Sequence, residues 1–68
     1  MDPNATWREL IDAHAIQDGE RVEELAQALI SWLDRGGFPP TIADRQLPTE
    51  AAAAFVKAVC LHLLEADR

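Results

Sequence analysis

The stretch from Asp18 to Gly37, DGERVEELAQALISWLDRGG, constrains this chain more than any other. Val22, Leu25, Ala26, Leu29, Trp32 and Leu33 recur at helical spacing and make one continuous apolar stripe. Glu23, Glu24, Gln27, Ser31, Asp34 and Arg35 hold the opposite side. The pattern predicts a helix over 19–35. Asp18 is placed to cap it, and Glu20 puts acid near the positive end of its dipole. Gly36 or Gly37 supplies the left-handed residue on which many helices end. The "RGG" at 35–37 therefore reads as a helix C-terminus. An RNA-binding RGG segment would repeat within a basic, disordered region, and this one occurs once in an acidic chain.

A helix with that stripe needs others to cover it, and two further segments fit. In "TWRE", Thr6 reads as an N-cap, with Glu9 reaching back to its amide as in a capping box. That starts a helix over about 6–16 with Trp7, Leu10, Ile11 and His14 on one face. In "PTEAAAAF", Thr49 reads as a cap and Glu50 sits in the first turn. The resulting helix runs to about 66, with Ala52, Phe55, Val56, Val59, Cys60 and Leu63 on its core face and Leu64 at the edge. Between 36 and 48 lies a connection too long to be structureless in a small fold. "TIAD" predicts a short helical turn over 42–46, pinned to the core by Ile42 and Leu47. Phe38 is expected to plug one end of the bundle. As the alternative, Phe38, Pro39 and Pro40 form an exposed docking turn.

The expected fold is thus all-α: a three-helix bundle over 1–68 with a short extra turn between the second and third long helices. Composition agrees. No run alternates apolar and polar residues, tyrosine is absent and β-branched residues are sparse, which argues against strands. With 68 residues the chain buries only roughly 60% of its unfolded surface, so its stability needs a well-packed core, a partner, or both. One cysteine allows no internal disulfide.

Charge narrows the partners. Six basic and twelve acidic residues give a formal net charge of −6, and the basic residues are scattered. Such a surface repels phosphates, so neither nucleic acid nor anionic membrane is an expected partner. No apolar run approaches the ~20 residues of a membrane span, and the first ten residues do not resemble a signal peptide. A cytoplasmic location is the expectation, and a lone cysteine fits a reducing compartment.

Catalytic chemistry is hard to find. His14 falls on an apolar face and reads as a buried, hydrogen-bonded histidine. Its spacing to Asp18 would suit a metal only if Asp18 were not a cap. Cys60 and His62 point about 200° apart on a helix and cannot pair on a metal. Cys60 has no neighbouring base in sequence and reads as an inert core thiol. Ser31 is mid-helix, without the Asp-Ser-Leu at a helix start that an acyl carrier uses. No phosphate loop or nucleophile motif occurs. No enzyme activity, metal or cofactor is expected.

One feature of the third helix stands out. Opposite its core stripe a helix in water normally carries charge, but here Ala54, Ala58 and Leu61 occupy that side, with Lys57 and Glu65 only on the flanks. The expected function is a non-enzymatic protein–protein interaction module. It would self-associate, as a homodimer for instance, or bind a larger protein through Ala54, Ala58, Leu61 and Leu64, with the Phe38–Pro40 turn as a second contact. The alternative is a small acidic antagonist that occupies a basic partner surface, as antitoxins and nucleic-acid mimics do.

Overall fold

The computed structural model describes residues 1–42 and 47–66. They form three helices, α1 (Pro3–Ala15), α2 (Gly19–Asp34) and α3 (Thr49–Ala66), with no strand among the described residues. The all-α three-helix architecture is as the periodicity predicts. The short turn expected over 42–46 falls mainly on residues outside the described set.

α1 begins earlier than 6. Asp2, not Thr6, is its N-cap: one carboxylate oxygen accepts from the backbone N–H of Asn4 at 3.0 Å and of Ala5 at 3.3 Å. Pro3 at the first helical position has no N–H to leave unpaired, and its ring fixes the φ a helix needs. The Thr6 hydroxyl donates to the Asp2 carbonyl at 3.0 Å instead of capping. Glu9 does not reach back to Thr6. It pairs across to Arg21 of α2 at 3.0 Å.

α1 ends in a tight hinge. The N–H of Gln17 donates to the His14 carbonyl at 3.1 Å and that of Asp18 to the Ala13 carbonyl at 2.9 Å. With Gln17 at φ 59°, this is a Schellman motif with a non-glycine in the left-handed position. Asp18 then caps α2, accepting from the Arg21 N–H at 3.3 Å. Such a short connection makes α1 and α2 antiparallel neighbours.

The end of α2 is a second Schellman motif. Gly36 (φ 85°) donates to the Leu33 carbonyl at 3.0 Å, and Gly37 to the Trp32 carbonyl at 2.9 Å. The Trp32 indole lies over Gly37, where any added Cβ would collide with it. α3 starts with Thr49 inside the helix: the Pro48 carbonyl accepts the first helical bond, from the Ala52 N–H at 2.9 Å, so Pro48 and not Thr49 holds the cap position.

α2 is the centre of the bundle. It packs against both neighbours, whereas α1 and α3 barely meet. Leu10 and Ala13 from α1, Val22, Leu25, Ala26 and Leu29 from α2, and Val56, Cys60 and Leu63 from α3 make one cluster. Each of the fully buried leucines and valines contributes about 1.5–3 kcal/mol relative to exposure. Two surface clips follow the same pattern: Arg21 bridges Glu9 and Glu24, and Lys57 reaches Asp34 at 2.8 Å, joining α3 to α2. All are exposed, so each is worth only about 0.2–1 kcal/mol.

Several expected core residues lie outside this cluster. His14 and Ile11 are exposed; Ala13 closes the stripe of α1, because the hinge folds back over it. Phe55 is 49% exposed. A helix covered by a single neighbour buries a narrow strip, here Ala52, Val56, Cys60 and Leu63, and Phe55 lies just beyond its edge. Phe38 does not plug the bundle, being 61% exposed. The end is sealed by Pro3 and Pro40, both fully buried, and the Thr41 N–H ties the connection to the Asn4 side-chain oxygen at 2.7 Å. Ile42 packs on the core as expected, but Leu47 is 46% exposed.

Candidate functional site

The sequence singles out two surfaces, and the structure treats them differently. On α3, successive residues advance by about 100°. Leu61, Ala54, Glu65, Ala58, Ala51, His62 and Phe55 therefore fall, in that angular order, within an arc of roughly 120°. All seven are exposed. Leu61 and Phe55, the two large ones, stand on opposite margins of the arc with the alanines between them. The surface is a shallow channel of alanines with two ridges, which His62 and Glu65 enter towards its C-terminal end. Its only carboxylate is Glu65 near the C-terminal end, and Glu50 stands at the N-terminal margin.

Leu64 does not belong to this face. It is half-buried and packs on the core cluster, at the side where α3 meets α2. Phe55 takes its place. Sequence periodicity assigned Phe55 inward because it neighbours Val56 and Val59 on the wheel. Among the described residues α3 packs closely on α2 alone, and Phe55 lies beyond the strip that this contact covers.

The second surface is the turn after α2. Trp32 Nε1 donates to the Phe38 carbonyl at 2.8 Å, and the two rings meet edge to face with centroids 5.7 Å apart. Phe38 is thereby held outward. Pro39 is half-buried and Pro40 fully buried, so Pro40 is a structural seal and not a contact residue. Beside them is an open cleft of about 320 Å³ whose lining includes Phe38, Pro39, Leu47 and Ala52.

The remaining candidates are spread out. His14 and His62 are exposed on α1 and α3 respectively, and Ser31 is exposed on α2. No group of three or more metal-binding side chains gathers among the described residues. Cys60 is fully buried, and burial pushes its thiol up to about 11. At neutral pH it holds its proton, and the thiolate that nucleophilic chemistry requires is not formed. No helix is long and apolar enough to cross a membrane among the described residues.

No protein-family model matches this chain, and no curated protein or solved structure is significantly similar to it.

Proposed function

We propose that the chain is a non-enzymatic protein–protein interaction module and that the outer face of α3 is its contact surface, for a larger protein or for a second copy. One observation carries this reading. Phe55 and Leu61, each close to half exposed, flank a run of exposed alanines on a helix that has one close neighbour among the described residues. Scattered exposed apolar residues are ordinary. Here they share one helix face, and Ala51, Ala54 and Ala58 between them are small enough for another helix to approach closely. Groove-and-helix recognition reads such i, i+3, i+4 and i+7 positions. The exposed Phe38 ring and the cleft beside it offer a secondary contact.

The test is Leu61→Glu. A charge on one ridge of the face should abolish association while the far-ultraviolet spectrum stays helical. Association that survives the substitution would remove this face from consideration.

A second reading draws on charge. Asp12, Glu20 and Glu23 are exposed and have no ion-pair partner among the described residues. A chain of net charge −6 with exposed surface carboxylates suits an antagonist that covers a basic partner surface. Binding of that kind falls steeply with salt, whereas apolar helix packing tolerates it.

A further inference from the structure

We draw no further inference here: the strongest candidate, the exposed outer face of α3 between Phe55 and Leu61, belongs to the surface already described, and nothing in the structure shows what covers it.

Discussion

The indole of Trp32 and the backbone of Phe38 form a clasp: Nε1 donates to the Phe38 carbonyl at 2.8 Å while the indole covers Gly37. The seven residues Trp32 to Phe38, WLDRGGF, are thereby folded back on the end of α2. The clasp turns the chain out of the helix and holds the Phe38 ring in solvent.

Gly37→Ala should therefore destabilise the fold by about 1–3 kcal/mol, since its Cβ meets a packed ring and not the tip of a flexible chain. Gly36→Ala should cost about 1 kcal/mol through its φ of 85° alone, with open space around it. Urea midpoints rank the two. The Trp32 indole N–H resonance separates their mechanisms: it should move in Gly37→Ala and stay put in Gly36→Ala.

The two candidate caps of α1 are distinguished by substitution. Asp2→Ala removes two hydrogen bonds to helix N–H groups and should cost about 1 kcal/mol. Thr6→Ala, inside the helix, should cost less, because its hydroxyl only returns to the Asp2 carbonyl. The reverse ranking in thermal melts would restore Thr6 as the cap.

Gln17 is held at φ 59°, a conformation that costs a side-chain-bearing residue energy and glycine almost none. Gln17→Gly should raise stability by about 0.5–1 kcal/mol, read as a higher urea midpoint with an unchanged m-value. A lower midpoint would show that the Gln17 side chain contributes more than its backbone costs.

Burial of Cys60 gives a pH dependence with a definite sign. Its thiol titrates near 11 in the folded chain and near 9.0 when unfolded. Below pH 9 both states are protonated and the advantage of the folded state is whole. As pH rises through this window the unfolded state loses its proton first, so stability falls, by on the order of 2 kcal/mol at pH 11. Cys60→Ala should start lower, because it leaves a small cavity, and should fall less steeply over the same range. Parallel slopes for the two proteins would assign the alkaline loss to other groups.

How much of this could be read from the sequence depended on where the deciding force acts. α2 was legible at both ends because Asp18, the apolar stripe and Gly36 are local signals that agree. α1 was misplaced at its start by two competing local signals: Thr6 and Glu9 imitate a capping box, while Asp2–Pro3 is the one the chain uses. The exposure of Phe55 and Phe38 is decided outside their own segments. Periodicity tells which way a side chain points from its helix, but not how many neighbours that helix has. That α1 and α3 barely meet, and that Trp32 holds Phe38 outward, are tertiary facts. The apolar outer face of α3 was visible in sequence through Ala54, Ala58 and Leu61. Its second ridge, Phe55, and the exclusion of Leu64 needed the fold.

The central claim is that the outer face of α3 is covered by a protein in the cell. A photo-crosslinking amino acid placed at Ala58, with a second placed at exposed Glu23 on α2 as control, tests it directly. After irradiation in the native host, Ala58 should give one dominant protein adduct that Glu23 does not give and that Leu61→Glu abolishes. Adducts from Ala58 no more abundant or specific than those from Glu23 would contradict the account, and the face would then be a solvent-exposed run of alanines with no partner.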